Sequence, residues 1–209
     1  MQITDIAPQK KYKNRLNVYI DGEFSFGIDE FDAFKLKLKI GKEITEEELF
    51  SIKENVIFSK AKEYALLLVT KGFYTEKGVR NKLHDRLYDD ETINKVICFL
   101  KEYKFIDDLE YAKSYSKECL YIKKYGRKKI KMMLYEKGIA SDLIEEVMAE
   151  FDFDEAEEDN LSELIEKKLG GNFDFKNVMK TKRYFVSRGY DYNVIDKALK
   201  KITESFDEF

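Results

Sequence analysis

The 209-residue chain carries 38 Lys and Arg against 41 Asp and Glu, a net charge of −3, with 44% hydrophobic and 38% charged residues. That balance supports one or two compact domains under a heavily solvated surface, and it is not the balance of a dedicated nucleic-acid binder. It also lacks an apolar run long enough to cross a bilayer. The N-terminal stretch MQITDIAPQKKYKN has no secretory apolar core. Cys98 and Cys119 have no CxxC partner, so buried thiols in a reducing cytoplasm are expected instead of a disulfide framework.

In chain order, Val18 and Ile20 alternate with polar neighbours, Asp21-Gly22 marks a turn, and Phe24, Phe26 and Ile28 alternate again. This predicts a hairpin, with a third strand at Ile3–Ile6. A short helix is predicted over Glu30–Leu38, stopping near Gly41, and Thr45-Glu46-Glu47-Glu48 reads as a capping box opening another. Beyond residue 57 the pattern becomes helical. Ser59–Lys71, a helix capped by Thr75 and one capped by Asp89 or Asp90 form a first triplet. Asp107-Asp108-Leu109-Glu110 opens a second, completed by Arg127–Lys137 and Ser141–Phe151. A third begins near Glu155, crosses Gly170-Gly171-Asn172, and ends with Asn177–Arg188 and Tyr192–Ile202.

These triplets repeat on a fixed step. Leu83, Leu134 and Phe185 stand 51 residues apart, as do Ile93, Ile144 and Ile195, then Val96, Val147 and Ala198, then Ile97, Met148 and Leu199. A cation recurs at Arg86, Lys137 and Arg188. The first helix and loop of the third copy are about seven residues too long for the step, counting from Ala156 to Phe185. Matching apolar positions at a long period mark a repeat protein whose units pack on their neighbours. The expected fold is mainly α, with three tandem three-helix repeats in an elongated, curved array behind a small β-hairpin/helix head. The expected limits are a head over 1–57, repeats over 58–106, 107–153 and 154–203, and a frayed acidic tail over 204–209.

Chemistry of the catalytic kind is not legible. Gly41-Lys42 lacks the rest of a phosphate loop. His84 has no nucleophile motif around it, and the cysteines lack ligand-spaced partners. Asp107, Asp108 and Glu110 suit a helix start as well as a cation. No enzyme, cofactor or metal is expected.

Charge distribution says more. Residues 123–131, KKYGRKKIK, carry six cations and no acid, while 154–166 carry seven acids and no cation. The molecule should be electrically polarised. Lys123, Lys124, Arg127, Lys128 and Lys131 form either a solvated face or a patch for phosphates or an acidic protein. Tyr121 and Tyr125 lie among them, for base stacking or for packing. Arg80, Arg86, Arg183 and Arg188 are secondary candidates on the matching helices, and Arg188 serves equally as a cap before Gly189. As a patch, reversal of Arg127, Lys128 and Lys131 would leave melting nearly unchanged. The third helix of the second triplet, Ser141–Phe151, carries Asp142, Glu145, Glu146 and Glu150 and no cation, which argues against major-groove reading.

Three segments, Phe105-Ile106-Asp107-Asp108-Leu109-Glu110-Tyr111-Ala112, Gly126-Arg127-Lys128-Lys129-Ile130 and Leu134-Tyr135-Glu136-Lys137-Gly138-Ile139, resemble the central signature of the RecX family. The resemblance extends to Ser187-Arg188-Gly189-Tyr190 and to the head at Arg15–Phe26 and Gly41–Glu48. It implies tandem three-helix repeats and a non-enzymatic regulator of the RecA recombinase in DNA repair and the SOS response. Such a protein would lie on the RecA–single-stranded DNA filament and inhibit ATP hydrolysis, filament growth and strand exchange. Weak direct DNA binding, a monomeric state and no membrane partner are expected with it. A stand-alone nucleic-acid binder and a helical scaffold for another protein are the alternatives.

Overall fold

The computed structural model describes residues 1–207; Glu208 and Phe209, and the side chains of residues 154–156, 159 and 204–207, lie outside the described residues. The chain divides into two compact units, Met1–Asp107 and a second from Asp108 onward.

The first unit opens with an antiparallel sheet in the order β1-β2-β3: β1 (Ile3–Pro8), β2 (Arg15–Ile20) and β3 (Glu23–Asp29). Asp21 and Gly22 both take positive φ, 51° and 88°, the tight two-residue turn that matches strand twist. Val18, Ile20, Phe26 and Ile28 are buried, but Phe24 is exposed. The register shifts between Val18 and Tyr19, so Phe24 pairs with Tyr19 on the outer face. One bulged residue is enough to change the face of everything before it. Helix α1 (Glu30–Lys35) is shorter than predicted, ending where Lys37 turns to φ 52°.

Thr45 then caps α2 (Glu46–Ile52), its hydroxyl accepting from the Glu48 amide at 3.1 Å while Glu48 accepts from the Thr45 amide at 3.1 Å. From α2 the helix continues without interruption through a π-helical segment, Lys53–Ile57, into α3 (Phe58–Lys71). The expected limit at residue 57 falls inside this continuous helix. Helix α4 (Glu76–His84), capped by Thr75, and α5 (Asp90–Glu102), capped by Asp89, complete the triplet. Sheet and triplet share one core, in which Ile3, Val18 and Ile44 join Ala61, Ala65, Leu83 and Ile93. Arg15 ties them together. Its guanidinium is almost fully buried and donates to Asp29 Oδ1 and Tyr88 Oη at 3.0 Å and to the Gly27 and Arg86 carbonyls at 3.2 Å.

The second unit holds two triplets. The first is α6 (Asp108–Lys117) with a π-helical extension to Ile122, α7 (Arg127–Glu136) and α8 (Ser141–Glu150). The second is α9 (Phe153–Leu169), α10 (Phe175–Ser187) and α11 (Tyr192–Asp207). Helix α10 starts earlier than predicted because Asp174 accepts from the Asn177 amide at 2.7 Å. Helix α11 runs past the point where the acidic tail was expected to begin. The alignment through Ala156 falls on a side chain outside the described residues; Leu161, Ile165 and Leu169 are buried along α9. Phe153, at its start, belongs instead to the core of the preceding triplet.

The 51-residue step is realised in burial. Leu83, Leu134 and Phe185 are 0%, 0% and 1% exposed, and all nine residues of the other three series are buried. Cys119 is buried as expected, but Cys98 is exposed.

Candidate functional site

The basic segment begins where the π-helical extension of α6 ends and Gly126 starts α7. It is a seam between the two triplets of the second unit. The Gly126 amide donates to the Arg188 carbonyl at 2.9 Å, and the Lys128 amide to the Gly189 carbonyl at 3.2 Å. Backbone meets backbone here. A Cβ on Gly126 would collide with the Gly189 carbonyl group, and one on Gly189, at φ +92°, with the Lys129 amide. Arg188 closes the seam. Its Nη2 donates to the carbonyls of Lys123 and, at 3.1 Å, Lys124, and its guanidinium stacks 4.6 Å from the Tyr125 ring centre. Tyr190, 1% exposed, donates from its hydroxyl to the Lys124 carbonyl at 3.0 Å. Burial, with the Glu157 carboxylate nearby, pushes that phenol's pKa well up.

Five of the six cations of 123–131, Lys123, Lys124, Arg127, Lys128 and Lys131, have partners in the fold. Lys124 meets Glu163 at 2.6 Å and Lys128 pairs with Asp191, both in the following triplet. The Arg127 amide donates to the buried Glu157 carboxylate, and the Arg127 guanidinium lies 5.0 Å over the Phe153 ring. Lys123 pairs with Glu118 at 2.9 Å and Lys131 with Glu145 at 2.7 Å. The expected polarity is therefore corrected at its centre, since Glu157 and Glu163 of the acidic stretch sit on the basic stretch. Opposite charges far apart in sequence form the seam. Tyr125 packs under Arg188, while Tyr121 is exposed.

Lys131 belongs to a series that follows the repeat. Arg80 donates to Asn94 at 2.8 Å, Lys131 to Glu145 at 2.7 Å, and Lys182 pairs with Asp196 at 2.6 Å. Each partner set is spaced by 51 residues, so each triplet carries the same polar staple between its second and third helices. Arg80 also holds Glu76 at 2.7 Å. The cation ending the second helix follows the step too: Arg86 lies 3.7 Å over Tyr64, and Lys137 5.9 Å over Tyr115. Arg188, third in that series, has turned to the seam.

Of the secondary candidates, then, Arg80, Arg86 and Arg188 make contacts within the fold. Arg183 is exposed and has no ion pair among the described residues. Around it lies a cationic surface that the sequence reading passed over: Lys176 and Lys180 on α10, Lys167 and Lys168 on α9, and Tyr184. The signal was available, because residues 175–188 hold five cations and no acid.

His84 is exposed, its Nε2 3.4 Å from Asp90. Burial raises the Cys119 thiol. Among the described residues no cluster of His, Cys, Asp and Glu could hold a metal, and no helix is long and apolar enough to cross a membrane. An open cleft of about 840 Å³ in the first unit is lined by Lys13, Arg15 and Arg86 but also by Asp29 and Glu30, and so favours neither sign of ligand.

Comparison with known proteins covers nearly the whole chain. Residues 1–45 match the family model described as "Regulatory protein RecX N-terminal domain". Residues 61–100, 107–148 and 155–199 match the first, second and third three-helix domains of RecX. The chain is 36% identical to "Regulatory protein RecX" of Clostridium beijerinckii, covering 96% of this chain and 95% of that protein. It is 37% identical to the protein of the same name from Clostridium tetani, covering 98% and 95%. A crystal structure of a regulatory protein RecX shares the fold at a TM-score of 0.67 and 23% identity, over 95% of this chain and 98% of that one. RecX from Lactobacillus salivarius superposes at 0.63 with 25% identity, over 70% and 96%.

Proposed function

Because the chain belongs to the RecX family of regulatory proteins, we propose that it binds the RecA–single-stranded DNA filament in the cytoplasm and inhibits RecA's ATPase, filament growth and strand exchange. The observation that carries this reading is the repeat itself. Three equivalent triplets, each with the same buried positions and the same staple, follow one another along the chain. A filament is built of equivalent subunits. Contacts of modest strength made repeatedly on one chain add up to useful avidity. The seam at Gly126, Arg188 and Gly189 supports this by coupling two triplets through backbone hydrogen bonds, so that they meet a partner as one body.

In this reading Lys123, Lys124, Lys128 and Lys131 contribute charge from the rim of the seam, where their ion pairs are partly exposed and so exchangeable. Arg183 contributes from α10. The test is RecA's single-stranded-DNA-dependent ATPase with and without the protein. A fall in turnover at substoichiometric protein is expected, and unchanged turnover at one protein per RecA subunit ends the reading.

A further inference from the structure

Lys176, Lys180 and Arg183 occupy α10 at i, i+4 and i+7, a spacing that puts them on one face with neighbours about 5–6 Å apart. All three are exposed, and none has an ion-pair partner among the described residues. In this they differ from Lys123, Lys124, Lys128 and Lys131. Helix α10 carries no acid, and its one remaining cation, Lys182, is turned aside to Asp196 at 2.6 Å.

Beside this stripe α9 and α10 enclose a cleft of about 270 Å³ lined by Leu164, Lys167, Lys168, Tyr184, Phe185 and Arg188. Three of the six are cations and none is an acid. Tyr184 stands at the junction of cleft and stripe, 39% exposed, with Lys168 Nζ 4.3 Å from its ring centre and Phe185 edge-on at 5.1 Å. Arg188 reaches the cleft from the seam, and its Nε is buried without a hydrogen-bond partner.

We propose that this surface of α9 and α10 is a single-stranded nucleic-acid site, in which Lys176, Lys180 and Arg183 take successive phosphates and the cleft takes one base against Tyr184. The proposal deepens the reading above, in which the protein acts on a filament carrying single-stranded DNA, by naming the residues that touch the strand. Two features favour nucleic acid over an acidic protein face. The cations follow a line at roughly the pitch of a phosphate backbone, and they adjoin an aromatic face above an apolar floor. A nucleobase can use both parts of that floor, and a carboxylate can use neither. The neighbouring acid, Glu163, is held by Lys124 at 2.6 Å and reaches Lys167 only through its charge, which leaves Lys168 and Arg188 of the cleft without an acid partner among the described residues.

The experiment is fluorescence anisotropy of a labelled oligodeoxythymidylate titrated with the full chain, without RecA, over a salt series. The parent should bind. Lys176→Glu with Lys180→Glu and Arg183→Glu should weaken binding at least about tenfold at about 0.15 M salt. The neutral set Lys176→Ala, Lys180→Ala and Arg183→Ala should lower the log–log salt slope by about 2, at roughly 0.7 per phosphate lost. Tyr184→Ala should weaken binding about fivefold or more with the slope unchanged, because stacking is not a charge contact. Reversal of Lys10, Lys37 and Lys39 on the head should change nothing. Unchanged melting of the exposed α10 variants shows that the fold persists. Binding by both α10 variants as tight as the parent's overturns the proposal. So does a parent that fails to bind the oligonucleotide; if the α10 variants then lose their effect on RecA's ATPase, the surface belongs to an acidic protein face. A parent that binds DNA through α10 but leaves the ATPase unchanged supports the site and refutes only the regulatory reading.

Discussion

Lys124 and Glu163, 39 residues apart in the chain, meet at 2.6 Å across the seam of the second unit. With Arg127 and Glu157 they turn two charge runs of opposite sign into one joint.

That ion pair has a pH signature. The hydrogen bond from Lys124, together with its positive charge, holds the Glu163 carboxyl below its ordinary value of 4.5. The folded value is the lower one, so the pair contributes stability above pH 4.5 and loses it as the pH falls through the folded value. Melting of the parent and of Glu163→Gln should therefore differ most near neutral pH and converge in acid. The carboxylate is exposed, so the difference should be small and should shrink with added salt. Equal melting curves at every pH would mean that the pair contributes nothing.

Gly126 and Gly189 tolerate no side chain. Gly189→Ala combines the strain of a positive φ, about 1–2 kcal/mol, with a collision against the Lys129 amide, and overpacking adds about 1–3 kcal/mol. Gly22, at φ +88° with open space around its Cβ position, isolates the first effect. Chemical denaturation should show Gly189→Ala and Gly126→Ala losing clearly more stability than Gly22→Ala. A loss at Gly126 no larger than at Gly22 would show that the triplets separate to accept a methyl group.

Reversal of Arg127, Lys128 and Lys131 should lower the melting temperature, because it sets like charges against Asp191 and Glu145. A merely solvated patch would melt unchanged. A double-mutant cycle of Lys131→Ala with Glu145→Ala should return about 0.2–1 kcal/mol of coupling, as for an exposed pair, and the same cycle on Lys182 and Asp196 should agree with it. Coupling at one site and none at the other would break the equivalence of the staples.

Arg15 should be the costliest charge to remove from the first unit. Arg15→Met leaves the Tyr88 hydroxyl and the Gly27 and Arg86 carbonyls without their donor, and breaking a buried pair costs about 3–5 kcal/mol. The part exposure of Asp29, at 35%, places the expectation at the lower end. A loss below about 1 kcal/mol, measured by urea denaturation, would show that the sheet is held by its apolar core alone.

The periodic core was legible because burial of Leu83, Leu134 and Phe185 needs only a fixed step and apolar side chains. The Thr45, Thr75 and Asp89 caps were legible for a similar reason, each being closed within three residues. Partners across the seam were not, since nothing local links Lys124 to Glu163 or Arg188 to the carbonyl of Lys123. A dense cationic run therefore looked unpaired, while the sparser stripe of α10 looked ordinary. Phe24 shows the same limit within the sheet, where alternation could be read but a bulge that reverses it could not. The staples fall between these cases. Each member of the Arg80, Lys131 and Lys182 series stands on the repeat step, but its role appears only when Asn94, Glu145 and Asp196 are placed opposite.

The unbroken helix from Glu46 to Lys71 leaves the head without a swivel. A sheet hung on a loop could wander as a tethered hook, whereas this one is a handle fixed to its shaft. A force or ligand acting on the strands would be felt directly at Ala61 and Ala65, in the middle of the first triplet.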